Sequence, residues 1–165
     1  MTAAVALSPV QNFYIPSRNT GSSACSNELD DALMKTLKYM REPISRQSVE
    51  TLVDEIIEVA GECYEDNWDG YDAQRISSLT TNEAISFAVS LPAEFPIPEV
   101  IPVATGEIAF EWDYGKNRIF VVTVKGNNSI AYAGLLGAGS RVKGIESYSE
   151  HVPKVVVDSV RRISK

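Results

Sequence analysis

The pattern of hydrophobic positions divides the chain into a helical first part and a strand-rich second part. Apolar residues recur at helical spacing in three segments, at about residues 26–41, 47–65 and 81–91. From residue 107 the period changes to two, which is typical of half-buried β-strands. The sequence therefore predicts helices followed by an antiparallel sheet.

The segment 47–65 is the clearest predicted helix, because its apolar residues repeat at helical spacing over more than four turns. They define one face that we expect to be buried: Leu52, Val53, Ile56, Ile57, Ala60, Cys63 and Tyr64. The opposite face is acidic.

Two further helices are predicted from their capping residues. The helix 26–41 should begin at the N-cap Ser26. Its apolar stripe comprises Leu29, Ala32, Leu33, Leu37 and Met40. The helix 81–91 should open with Thr80 and Glu83 in the spacing of a capping box. We expect its inward face to comprise Ile85, Ala88, Val89 and Leu91.

Three strands of a β-meander are predicted between residues 107 and 136, separated by short Gly- and Asn-containing turns. A short strand at 141–145 and a C-terminal helix that starts near Pro153 complete the elements. In the first strand Ile108, Phe110, Trp112 and Tyr114 alternate with polar or small residues, as in a half-buried strand. In the second, Phe120, Val122 and Val124 form one face and Ile119 and Val121 the other. The C-terminal helix has a stripe of Val152, Val156, Val160 and Ile163. The predicted fold class is α+β: N-terminal helices, a three- to four-stranded antiparallel meander and a C-terminal helix.

Two segments lack this periodicity. Residues 1–25 are predicted to be a flexible N-terminal arm, and 26–165 a single α+β domain. Phe13 and Tyr14 form an aromatic patch in the arm that either docks to a partner or packs on its own domain. The Pro-rich stretch 92–102 permits only an extended edge segment, because proline lacks a donor for the ladder.

Composition and charge narrow the functional classes. With 44% hydrophobic and 22% charged residues the chain is globular in type, and its net charge is −7. Residues 1–92 hold 14 acids and 6 bases, whereas 93–165 hold 8 acids and 9 bases. The lack of clustered Lys and Arg argues against direct nucleic-acid binding. Since neither a membrane-length apolar run nor a secretory signal is present, we expect a cytoplasmic protein.

No catalytic centre is recognisable. The single histidine, His151, lies at a predicted helix start, and Cys25 and Cys63 are too few and too isolated for a disulfide framework or a zinc site. The segment 66–72 has carboxylates of a calcium loop, but an isoleucine stands where the bidentate glutamate is required. The glycines at 137–144 lack the spacing of a nucleotide-binding loop. We therefore predict no metal, no cofactor and, on balance, no enzymatic activity.

The acidic face of the 47–65 helix is the strongest candidate for a functional surface. Asp54, Glu58 and Glu62 recur every four residues, a spacing at which like charges cost a few tenths of a kcal/mol per pair. This face is either a recognition surface for a basic protein or merely solvated. The candidate partner-binding residues are Asp54, Glu55, Glu58, Glu62, Glu65, Trp68, Asp69 and Tyr71, with Phe13 and Tyr14 of the arm.

The turn at 66–72 also has two interpretations. In the structural one, Gly70 supplies a left-handed conformation after the helix while Trp68 and Tyr71 pack over the edge of the core. In the functional one, the turn and Glu111 of the sheet line a pocket.

Four short segments carry distinctive motifs: 67–73, 91–92, 98–100 and 106–112. The first contains Asn-Trp-Asp-Gly, and the last is a Gly-Glu-Ile strand that ends in Trp. With these motifs the chain resembles a group of small, uncharacterised bacterial proteins that are often encoded on mobile elements. The resemblance covers about residues 65–136. It implies a shared fold and carries over no catalytic residue.

Three functions fit these features. The first is a non-enzymatic interaction module, such as an antitoxin or an inhibitor of a host or phage system, that binds a basic partner through its acidic helix. The second is a small ligand-binding protein or enzyme with a pocket between the sheet and the 66–72 turn. The third is a structural homo-oligomer in which the strand edge at 118–125 or 129–136 pairs with a copy.

Overall fold

A computed structural model describes residues 46–149 and 151–165, and these ranges contain three helices and five strands. The helices are α1 (Arg46–Glu62), α2 (Ser78–Ser90) and α3 (Lys154–Ile163). The strands are β1 (Glu99–Val103), β2 (Glu107–Asp113), β3 (Arg118–Val124), β4 (Ser129–Leu136) and β5 (Arg141–Ser147). The predicted α+β class is confirmed, with five strands in place of three to four.

Several predictions concern residues 1–45 and lie outside the described ranges. These are the flexible arm with Phe13 and Tyr14, the helix 26–41 and the thiol of Cys25. Across the described residues, no helix has both the length and the apolar character that a membrane crossing requires.

The sheet is a meander in which each strand pairs antiparallel with the next, in the order β1-β2-β3-β4-β5. The prediction that the Pro-rich stretch 92–102 forms an extended edge segment is confirmed for its last part by β1, which contains Pro102, whereas residues 92–95 form a turn. The prediction that β3 or β4 offers a free edge to a second copy is wrong. Both strands are paired on their two sides, because β1 and a β5 longer than predicted extend the sheet around them. Among the described strands only β1 and β5 are edges.

One face of the sheet forms the core. The alternate residues Ile108, Phe110 and Trp112 of β2 are at most 2% exposed, as the period of two predicts. Aromatic rings join the layers: the ring centroids of Phe87 in α2 and Phe110 lie 5.0 Å apart. The other fully buried core side chains include Leu52, Ile56, Phe120, Val122, Val124, Val156, Val160 and Ile163. All three helices therefore cover the same face of the sheet.

The predicted start of α2 is wrong by three residues. Ser77 is the N-cap, and its hydroxyl oxygen accepts a hydrogen bond from the backbone N–H of Thr80 at 3.1 Å. Glu83 therefore takes no part in a capping box, and its carboxylate accepts from the backbone N–H of Asn128 at 2.8 Å. This bond ties α2 to the turn between β3 and β4.

The buried side of α2 also differs in part from the prediction. Ala84, Phe87 and Ala88 face the core, whereas Val89 is 60% exposed. The inward prediction is confirmed for Ala88 and Leu91 and wrong for Val89, since the aromatic ring of Phe87 anchors the helix on the neighbouring stripe.

Gly134 of β4 is required by a close approach to β3. A β-carbon there would lie 2.6 Å from Cδ2 of Phe120 and 2.7 Å from the carbonyl oxygen of Ile119. We expect Gly134→Ala to lower the free energy of unfolding by about 1–3 kcal/mol, because the strand must shift to admit the methyl group. Urea denaturation measures the change.

Gly61→Ala is the matched control, because Gly61 lies in α1 with nothing within 4 Å of the added carbon. It should raise the free energy of unfolding by about 0.5–1 kcal/mol. Equal effects of the two substitutions would contradict the close packing of β3 on β4.

Candidate functional site

The solvent face of α1 combines carboxylates with an exposed apolar side chain. Asp54, Glu58 and Glu62 are exposed on one side of the helix, as their spacing predicts. Ile57 lies on this side and is 54% exposed, although the sequence pattern placed it on the buried face. Residues 47–74 contain nine acids and no Lys or Arg, so no base of this segment neutralises the face.

Tyr64 extends this surface beyond the end of the helix. The prediction that it is buried is wrong: it is 64% exposed, while the preceding Cys63 is 2% exposed. The physical reason is that Tyr64 follows the exposed Ile57 by seven residues, about two helical turns, so helical spacing places it away from the side of Leu52 and Ile56. We use the term acidic surface for Asp54, Ile57, Glu58, Glu62 and Tyr64.

The remaining candidates on this part of the chain are placed differently. Glu55 is half-buried at the side of α1, and Glu65 is exposed just after the helix. Tyr71 is 90% exposed, so the prediction that it packs over the core edge is wrong. Its neighbour Gly70 has φ +77°, which confirms the predicted left-handed conformation.

The polar side chains of the loop 66–75 form hydrogen bonds with the backbone of the same loop. The carboxylate of Asp69 accepts hydrogen bonds from the backbone N–H groups of Tyr71 at 2.7 Å and Ala73 at 3.1 Å. Likewise Asp66 accepts from Arg75, and Asn67 from Asp72. Asp69 thus has a structural role in this loop. The sequence pattern had instead placed Asp69 among the candidate partner-binding residues.

Trp68 anchors the loop to the domain. Its indole Nε1–H donates to the carbonyl of Gln74 at 3.0 Å, and its ring packs against the hydrophobic core. The backbone N–H of Gln74 in turn donates to the carbonyl of Ala104 at 2.8 Å. The Trp68 part of the predicted structural turn is therefore confirmed.

A glycine lets the loop contact the hairpin between β1 and β2. Gly106 has φ +80°, and a β-carbon there would lie 2.7 Å from the carbonyl oxygen of Arg75. The loop around Trp68 and the strand that follows Gly106 therefore belong to neighbouring parts of the fold.

The pocket proposed between sheet and turn does not unite its predicted lining. Glu111 alternates with the buried Phe110, so it belongs to the sheet face opposite the core, whereas Trp68 packs on the core side. Four cavities with volumes of about 590, 320, 510 and 350 Å³ are lined by described residues. None of these four is lined by Trp68, Asp69 or Tyr71.

Titratable groups give little basis for catalysis in the described ranges. Burial raises the pKa of the Cys63 thiol, and the neighbouring charge of Glu62 raises it further. A thiol with a raised pKa is a poor nucleophile at neutral pH. His151 is exposed, and residues 46–149 and 151–165 contain no group of three His, Cys, Asp or Glu side chains that would hold a metal ion.

Comparisons with protein-family models, with curated proteins and with solved structures found no match.

The role of Asp69 in the loop can be tested by removing its carboxylate. We expect Asp69→Ala to lower the free energy of unfolding by about 1 kcal/mol or more, because two backbone N–H groups lose their acceptor. Thermal or urea denaturation measures the loss. Glu65→Ala, at an exposed neighbouring acid, should stay within about 0.5 kcal/mol of the unchanged chain. Equal stability of the two variants would show that the Asp69 bonds are dispensable.

The buried Cys63 predicts a stability that falls in alkali. Its pKa is raised in the folded chain, so with rising pH the unfolded chain loses the thiol proton first, near its usual pKa of about 8.5. The contribution to stability is therefore present below that pH and is lost as pH rises through the folded pKa. Cys63→Ala should have a shallower decline of the melting temperature above that pH, and identical pH profiles would contradict the assignment.

Proposed function

We propose that this chain is a non-enzymatic protein-interaction module whose acidic surface binds a basic protein partner. The observation that carries the proposal is the exposure of Ile57, at 54%, among the carboxylates of Asp54, Glu58 and Glu62. Tyr64, at 64% exposure, lies seven residues further along the same side.

This combination resembles the anatomy of protein interfaces. Single exposed apolar residues are common, but aromatic and aliphatic anchors ringed by polar groups are the usual centres of binding energy. A merely solvated acidic face accounts for the carboxylates and leaves the two apolar side chains unexplained. The mixed surface favours recognition.

The carboxylates supply a second property. Because residues 47–74 contain no Lys or Arg, their negative field extends into solvent and would attract a basic surface. Such fields raise the association rate and select the sign of the partner's charge, and salt weakens them.

The scaffold holds this surface in a fixed shape. Leu52 and Ile56 on the opposite side of α1 are fully buried, and the braced loop 66–75 follows the helix. A surface on a rigid element loses little entropy on binding, which favours affinity. We propose a cytoplasmic antitoxin, or an inhibitor of a host or phage system, as the biological form of this module.

The test is capture of the partner on the immobilised chain from an extract of the native cell, followed by affinity measurement with the purified partner. Ile57→Ser with Tyr64→Ser should raise the Kd about thirtyfold or more, since one interface hot spot is worth about 2 kcal/mol. Asp54→Asn with Glu58→Gln and Glu62→Gln should slow association and flatten its dependence on salt.

Matched controls exist on α2 and α3. Leu79 and Val89 are 66% and 60% exposed outside the acidic surface, so Leu79→Ser with Val89→Ser should leave the Kd unchanged. Asp158→Asn should leave the association rate unchanged. An unaltered Kd in the Ile57 and Tyr64 variant, or an equal loss in the α2 control, would disprove the proposal.

A further inference from the structure

The face of the sheet opposite the helices is apolar at its centre. In antiparallel sheets with one packed face, the other face is usually polar. Here the central strands β3 and β4 instead present alternate apolar side chains on that side, and most of them are only half-buried. We use the term outer face for the residues of β3 and β4 on this side: Ile119, Val121, Thr123, Ala131, Ala133 and Leu135.

A groove marks the middle of the outer face. Its volume is about 590 Å³, and its lining includes Ile119 and Val121 of β3 together with Ala133 and Leu135 of β4. Arg141 and Lys143 of β5 border it. The groove therefore extends from β3 across β4 to β5, and its bases lie on the β5 side.

The strand register places acids on one side of the outer face and bases on the other. Asp113, Ile119, Leu135 and Arg141 are partners in successive strands and so form one row across the sheet. The next row on this face runs Glu111, Val121, Ala133 and Lys143. In each of these two rows an acid on β2 is followed by apolar residues and then by a base on β5, and the second row continues beyond Glu111 to Glu99 of β1. The third row, Ala109, Thr123, Ala131 and Ile145, carries no charge.

We propose that a second copy of this chain binds the outer face, with a two-fold axis between β3 and β4, at the β3 side of the groove. This axis lies parallel to the strands. It places β3 over β4 of the partner copy and β2 over β5 of the partner copy, as in the aligned packing of two sheets about 10 Å apart.

The rows then match side chain by side chain. Ile119 faces Leu135 of the other copy, and Asp113 faces Arg141 of the other copy. Because a two-fold interface repeats every contact, the Asp113 to Arg141 pair occurs twice. An arrangement that leaves the acids over the acids would lose this complementarity at both ends of each row.

The size of the outer face fits a modest dimer. Four strands spaced about 4.8 Å apart, each of seven or eight residues, give a contact of about 1,000 Å² over both copies, the lower bound for a specific interface. The dimer should therefore dissociate on dilution. The acidic surface on α1 lies on the helical side of the domain and remains accessible in this arrangement.

The test measures the mass of the full chain by sedimentation equilibrium over a range of concentrations. We expect the mass to rise towards twice 18.1 kDa as concentration increases. Arg141→Asp and Asp113→Arg should each weaken the dimer more than about tenfold, because like charges then face each other twice. A mixture of the two single variants should form a heterodimer, because each chain supplies the charge that the other lacks.

The controls separate this interface from general charge effects and from unfolding. Lys116→Asp, in the turn between β2 and β3, should leave the dimer intact, and the double variant Arg141→Asp with Asp113→Arg should restore it. Val121→Lys should abolish it, whereas Val89→Lys on α2 should not. A chain that stays monomeric at all concentrations would overturn the proposal. So would variants that fail to complement each other in the mixture. The same conclusion would follow if other residues of the same chain cover this face.

Discussion

The packing of aromatic rings between α2 and the sheet is the interaction on which the rest of the fold depends. Phe87 lies 5.0 Å from Phe110 and 5.6 Å from Tyr148, ring centroid to ring centroid, so one side chain joins the helix, the centre of the sheet and the chain that follows β5. Burial of such large rings contributes more to a core than any other residue type. With α2 fixed in this way, α1 packs against α2 and the edge strand β1, and its opposite face is left to solvent.

The candidate site follows from that arrangement through the loop after α1. The loop closes on itself through Asp66, Asn67 and Asp69, and Trp68 holds it to the core. Because these polar groups satisfy backbone N–H groups, the loop positions the end of α1 and offers little chemistry of its own. Recognition therefore depends on side chains of α1 and its immediate end.

In β3 both alternating faces are apolar, so the period of two left its buried side open. In β2 the alternation indicated one face, and its residues Ile108, Phe110 and Trp112 are buried. The acidic side of α1 was predictable for the same reason. Ile57 was misplaced because it lies at the edge of a broad apolar stripe. At 100° per residue it is rotated about 140° around the helix from Leu52, which puts it among the acids. Tyr64 was misplaced with Ile57, from which it is two turns away, and the N-cap Ser77 was missed because element ends depend on local hydrogen bonds more than on periodicity.

The edges of the sheet have a consequence for the behaviour of the protein at high concentration. A free strand edge is a template on which further chains can add and grow into fibrils. Here β1 is short and contains Pro102, which has no N–H to offer, while β5 carries the charges of Arg141, Lys143 and Glu146. Both ends of the ladder thus discourage the addition of strands, so the molecule is built to resist polymerisation into cross-β aggregates.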